Sequence, residues 1–187
     1  MVLRPRLSYT HWEDTEVIRE YALEGVRTRE LDILPDERGF VSEAMREDWW
    51  DFIDEGIVQV NLSCSYPNTV RAWHRHLRGQ VDYFLVLKGA MKICAYDEES
   101  GRLAEVIASE QKPQLVRIPG HYYHGTKTIG SEPSLTIYFV NRLYDRQDPD
   151  EHRIPWNDLR IVPSEVNGSK NDPRANHPWD WFHPPHK

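Results

Sequence analysis

Between residues 57 and 141 the chain passes through a series of short apolar-rich runs: IVQVNLSCSY, TVRAWHRH, VDYFLVL, AMKICAYD, LAEVIAS, QLVRIP and SLTIYFV. Glycine or proline punctuates the intervals, and none of them carries a helical period. Runs this short and this rich in β-branched and aromatic residues bury a face only by pairing with one another. An all-β, antiparallel sandwich or closed barrel of jelly-roll type is therefore expected.

The flanks read differently. Residues 1–28 are polar and mixed and are expected to form an N-terminal extension. They include a helical-looking piece, TEVIREYALEG, in which Val17, Ile18, Tyr21 and Leu23 make an approximate apolar stripe. AMREDWWDFIDEG, at 44–56, reads as a short peripheral helix ending near Gly56, with Trp49, Trp50 and Phe52 available for packing. The β domain is expected over 29–158. From 159 to 187 the prolines of PSEVNGSKNDPRANHPWDWFHPPHK exclude a central strand, and its tryptophans favour an irregular tail packed on the barrel.

Charge and hydropathy remove several function classes. Lys and Arg total 23 against 30 for Asp and Glu, a formal charge of −7, so the basic footprint needed for a phosphate backbone is missing and nucleic acid is not an expected partner. A small anionic ligand is still allowed, because a pocket needs only a few placed arginines. The longest apolar stretches, such as FLVL at 84–87, fall far short of the roughly 18 residues of a membrane span. The charged N-terminus lacks the apolar segment of a secretory signal, and Cys64 and Cys94 are too few for a disulfide framework. A cytoplasmic protein with no membrane partner is expected.

Chemistry concentrates in two places. In WHRH, at 73–76, strand alternation puts His74 and His76 on one face and Trp73 and Arg75 on the other. Such a pair is either half of a metal site or a catalytic base with a neighbour. RIPGHYYHGT, at 117–126, returns His121 and His124 across a barrel mouth, and Asp82 stands early in VDYFLVLKG. Together these pieces resemble the two spaced motifs of the cupin superfamily. That resemblance implies a double-stranded β-helix and, in its metal-binding members, one divalent transition metal, whose ligands would here be His74, His76, Asp82 and His124. Imidazole with carboxylate suits Fe, Mn, Ni or Zn.

A longer ordered set points to one cupin family. DERGFVSE (36–43), VQVNLSCS (58–65), VRAWHRH (70–76), LVLKG, RIPGHYYHG, the tyrosine of TIYF and WND (156–158) occur in sequence and resemble the dTDP-4-dehydrorhamnose 3,5-epimerase family over about residues 26–172. The resemblance implies a nucleotide-diphospho-4-keto-6-deoxyhexose substrate, a cofactor-free mechanism and a homodimer. His74 matches the family's base, Tyr138 its acid, and Asp172 of SKND its base-orienting aspartate. Arg38, Glu43, Gln59, Asn61 and Arg71 fall where the family holds the nucleoside and phosphates, with His124 and Tyr144 as sugar-side contacts. Asp82 stands where the family has a lysine. The alternatives are a metal-dependent cupin, an isomerase or oxygenase, and a non-catalytic sugar-nucleotide binding protein.

Overall fold

The computed structural model describes residues 18–184. Strands β1 (Ile18–Glu20) and β2 (Arg27–Glu30) form an N-terminal hairpin, and β3 (Leu34–Asp36) with β4 (Gly39–Val41) form a small separate one. The body comprises β5 (Gln59–Ser65), β6 (Val70–Arg75), β7 (Val81–Lys88), β8 (Ala90–Asp97), β9 (Arg102–Ser109), β10 (Gln114–Pro119), β11 (Tyr123–Ile129) and β12 (Ser134–Val140). Two short strands follow, β13 (His152–Arg153) and β14 (Glu165–Val166). They assemble into two six-stranded sheets, ordered β1-β2-β10-β7-β12-β5 and β13-β6-β11-β8-β9-β14. This is the expected jelly roll, with the seven runs of the sequence at β5 to β10 and β12.

Burial follows the two-residue period. Phe84 and Val86 of β7, Met91, Ile93 and Ala95 of β8, and Ala104, Val106 and Ala108 of β9 fill the space between the sheets, joined by Leu23 and Val26 from the N-terminal segment. The intervening residues of the same strands are buried too, because each sheet is covered on its outer face. Residues 44–57 lie over Val81, Tyr83, Leu85 and Leu115, and the tail from Ile161 to Trp181 lies over Trp73, Cys94, Tyr96 and Leu103. Sheets covered on both faces read as continuous apolar runs rather than clean alternation, as FLVL does.

The helical expectations fail. Among the described residues no α-helix forms, so the predicted peripheral helices are absent. Ile18–Glu20 pairs as an edge strand with Arg27–Glu30, and the chain between them turns through a Tyr21 N–H to Val26 carbonyl bond with Gly25 at φ 73°. Residues 15–17 of the helical-looking piece lie outside the described residues. At 44–56 a single turn brings Trp49, Phe52 and Ile53 to the sheet, and Arg27 Nη2 then donates to the Phe52 carbonyl at 2.8 Å, an acceptor that a continuing helix would need. Arg29 stacks its guanidinium 4.1 Å from the Trp49 ring centroid, reinforcing the same docking. Two or three good contacts to the sheet outweigh the weak intrinsic preference of a short helix.

Strand β11, YHGTKTI, has no apolar run and is not foreseen as a strand, yet it lies at the centre of its sheet and is almost wholly buried. Its Gly125 passes so close to β6 that an added Cβ would sit 2.2 Å from the Ala72 Cβ. That close approach brings His124 beside His74 in register.

Candidate active site

The inner faces of the two sheets enclose a cavity of about 720 Å³, within the roughly 300–1,000 Å³ of small-ligand sites. One sheet contributes His74 from β6 and the other contributes Tyr138 from β12, so the two face each other across the space. Gln59 and Asn61 of β5 lie beside Tyr138 and bond to each other at 2.9 Å, and the Tyr144 N–H donates to Gln59 Oε1 at 3.0 Å. Arg71 lines the same cavity, its Nε held by Ser65 Oγ at 2.9 Å.

Behind His74 lies a cluster of three imidazoles, His74, His76 and His124, each with one ring nitrogen within 4.8 Å of the others. His124 Nδ1 bonds to the Tyr122 carbonyl at 2.9 Å and His76 Nδ1 to the Asp150 carbonyl. A carbonyl only accepts, so each Nδ1 carries a proton and donates, which turns each Nε2 toward the cluster. Both Nε2 atoms approach the same Asp82 Oδ2, at 3.2 Å from His124 and 3.7 Å from His76. Asp82 Oδ1 is occupied by Gln80 Nε2 at 2.9 Å. His74 Nδ1, His124 Nε2 and Asp82 Oδ2 are all buried without a hydrogen-bond partner, which is costly unless something bridges them. Second-sphere carbonyls that fix the imidazole tautomer and unpaired donors that converge on one point are the features of a metal-ligand set, so these residues fit a divalent transition metal.

Electrostatics separate the two facing groups. Burial, reinforced by the neighbouring His124, His76 and Arg153, holds His74 well below the ordinary histidine range, so it is a neutral base at pH 7. Burial and the charges of Asp82 and Glu151 raise the Tyr138 phenol, against a smaller opposing effect of Arg71. Tyr138 therefore keeps its proton. The cavity is lined by four arginines, Arg71, Arg142, Arg146 and Arg153, against the carboxylates of Asp82 and Glu151. An acidic protein thus carries a cationic pocket, which concentrates anions locally whatever the net charge.

The structure does not bring all the expected site residues together. Asp172 is not at His74. Its carboxylate accepts from Arg174 Nε and Nη2, each at 2.9 Å, and Arg174 Nη1 bonds Glu105, which in turn pairs with Lys92 at 3.2 Å. Glu105 and Lys92 lie on the outer face of the sheet whose inner face carries His74, so Asp172 serves the tail's docking. Arg38 pairs with Asp36 and is 84% exposed on the β3–β4 hairpin, and Glu43 pairs with Arg46 at 2.6 Å; neither lines the cavity. Gln80, Arg142, Arg146, Glu151 and Arg153 line it without having been foreseen. Arg142 and Arg146 follow directly on the Tyr138 strand, a proximity that could have marked them, whereas nothing in EHRIPW announces Arg153.

The chain is similar to known proteins both in sequence and in fold. The family model described as polysaccharide biosynthesis C-terminal domain matches residues 34–152. A Haloferax volcanii protein described as a probable low-salt glycan biosynthesis epimerase, Agl13, is 42% identical over 137 residues, covering 70% of this chain and 86% of that one. A dTDP sugar isomerase from Desulfovibrio desulfuricans superposes with a TM-score of 0.65 at 28% identity, covering 73% of this chain and 88% of that one. RmlC from Legionella pneumophila, a dTDP-6-deoxy-D-glucose-3,5-epimerase solved with dTDP-4-keto-L-rhamnose, reaches a TM-score of 0.70 at 22% identity, with 83% and 89% covered, and speaks for the fold. A chain with this cupin-type sandwich, a family match across well over half its length and a 42% identical relative belongs to the polysaccharide biosynthesis C-terminal domain family.

Proposed function

We propose that this protein epimerises a nucleotide-diphospho-4-keto-6-deoxyhexose at a carbon beside the ketone. The observation that carries this reading is the neutral His74 and the protonated Tyr138 facing each other across one cationic cavity. His74 takes the proton from the carbon, the C–H electron pair becomes the new C=C bond, and the carbonyl pair moves to oxygen as an enolate. Tyr138 then returns a proton to the opposite face, which inverts the centre. Solvent reprotonates the phenolate and accepts the proton from His74. Arg71, Arg142 and Arg146 of the cavity hold the diphosphate, for which the planar fork of arginine is suited. Arg38 and Glu43, outside their own cavity, serve the site of a second copy in a homodimer. The names of Agl13 and of the dTDP sugar isomerase support the reaction class and the nucleotide.

The test is incubation with dTDP-4-keto-6-deoxyglucose in deuterium oxide, followed by NMR. The wild-type protein incorporates deuterium at C3, C5 or both, and Tyr138→Phe turns over about 100-fold more slowly with unaltered dTDP binding. Undiminished turnover of that variant reduces Tyr138 to a packing residue against Phe84, whose ring centroid lies 5.7 Å away. Wild-type protein that binds dTDP and exchanges nothing is instead a sugar-nucleotide binding protein.

The histidine–aspartate cluster favours a second reading, a metal-dependent cupin acting as isomerase or oxygenase. His74, His76, His124 and Asp82 would hold one divalent transition metal, which supplies Lewis-acid polarisation of a substrate oxygen when bound. Elemental analysis and melting with and without a chelator decide it. Stoichiometric metal, with a melting temperature that falls on chelation, supports this reading, and full exchange activity in metal-free protein rules it out.

A further inference from the structure

An enolate needs a cation or strong donors at its oxygen, and among the four arginines of the cavity one stands apart by position. Strand β13 adds to the edge of the histidine sheet with Arg153 paired to His74, while His124 pairs to His74 from the other side. Directly opposed residues of neighbouring strands share a face, so Arg153, His74 and His124 form one inward-facing row. Arg153 lines the cavity, and its Nη2 bonds Glu151 Oε1 at 2.6 Å on the same rim. That pair uses one nitrogen of a guanidinium with five N–H donors. Arg71, by contrast, is engaged by Ser65 Oγ and the Cys64 carbonyl, and Arg142 and Arg146 come from the loop after β12 on the opposite sheet.

We infer that Arg153 is a catalytic residue that donates to the 4-keto oxygen as enolate charge develops there, with Glu151 as the positioning residue that holds it beside His74. The argument is one of reach. The keto carbon is bonded to the carbon that His74 deprotonates, so the group that stabilises its oxygen must be an immediate neighbour of His74, whereas the diphosphate lies on the far side of the sugar ring. Asp82, whose Oδ1 accepts from Gln80 and whose Oδ2 lies 3.2 Å from His124 Nε2, brings a carboxylate to this end of the cavity, and Arg153 supplies a cation there. This inference rests on the epimerase reading.

Arg153→Gln and Arg153→Lys test it, since the side chain is 62% exposed and neither change opens the core. Arg153→Gln lowers kcat by about 100-fold, the loss typical of one oxyanion donor, with KM and the calorimetric dissociation constant for dTDP within about twofold of wild type. Arg153→Lys recovers about tenfold of that loss, because the charge is kept and the fork is not. A Gln variant whose kcat is unchanged, or whose main defect is about tenfold weaker dTDP binding, overturns the assignment and makes Arg153 a phosphate contact or a bystander. Wild-type protein that binds dTDP without exchanging deuterium is the separate failure of the epimerase reading, and it removes this inference as well.

Discussion

His74→Asn lowers deuterium exchange at the carbon beside the ketone by about 10³-fold, within the range for loss of a general base, and leaves the fold intact. Asn keeps the approximate length of the inner part of the side chain, and His74 Nδ1 has no hydrogen bond to lose. The residue is only half-buried, at the cavity wall rather than in the core. What is lost is the neutral base that burial, with the neighbouring imidazoles and Arg153, maintains at pH 7. Binding of dTDP alone stays near wild type, since Arg71 and the loop arginines Arg142 and Arg146 are untouched. Unchanged exchange in the Asn variant removes His74 from the mechanism. The same protein sample bears on the metal reading, because loss of one of four ligands lowers metal content as well as activity, whereas a metal-free base does not change the elemental analysis.

The largest effect on stability is expected at Trp181. Its indole is 1% exposed, packs 4.7 Å from the Trp73 ring centroid and lies at right angles to Trp179, and its Nε1–H donates to the Trp156 carbonyl at 3.2 Å. Trp181→Ala costs about 3–5 kcal/mol, from lost burial and the cavity left behind. For a domain of this size that lowers Tm by on the order of 10 °C. Trp73 is wholly buried and precedes His74 on β6, so loosening the tail also slackens the strand that carries the base. The expected signature is a lower Tm together with a reduced kcat, read by calorimetry and the exchange assay. A Tm within about 1 °C of wild type would show that the tail is not part of the folded core.

Much of the site was legible in the chain because its geometry is local. The two-residue period alone puts His74 and His76 on one face and Trp73 on the other, and the structure has them so, with Trp73 beneath the tail. The family resemblance names Tyr138, Gln59 and Asn61, and because they lie on regular strands that pair in register the structure keeps them side by side. The failures share a cause. The resemblance puts Asp172 at the base, but its carboxylate is held by Arg174 on the other side of a sheet, a separation that no sequence interval records. The 44–56 segment has the apolar spacing of a helix turn, yet its backbone acceptor is taken by an arginine on a strand far back in the chain.

From the order of its residues alone, this protein is determined to be an all-β sandwich with a docked tail, carrying two histidines on one face and an excess of acidic over basic residues. Periodicity, turn chemistry and net charge are properties of neighbouring residues and of sums, and they survive without knowledge of the fold. Only the tertiary structure decided that Asp82 approaches His76 and His124, that two backbone carbonyls accept from the Nδ1 atoms of those imidazoles, and that Arg153 stands in the same row as His74. Those relations join strands far apart in sequence. They depend on sheet order and register, which are set by packing both faces of each sheet at once rather than by any local preference.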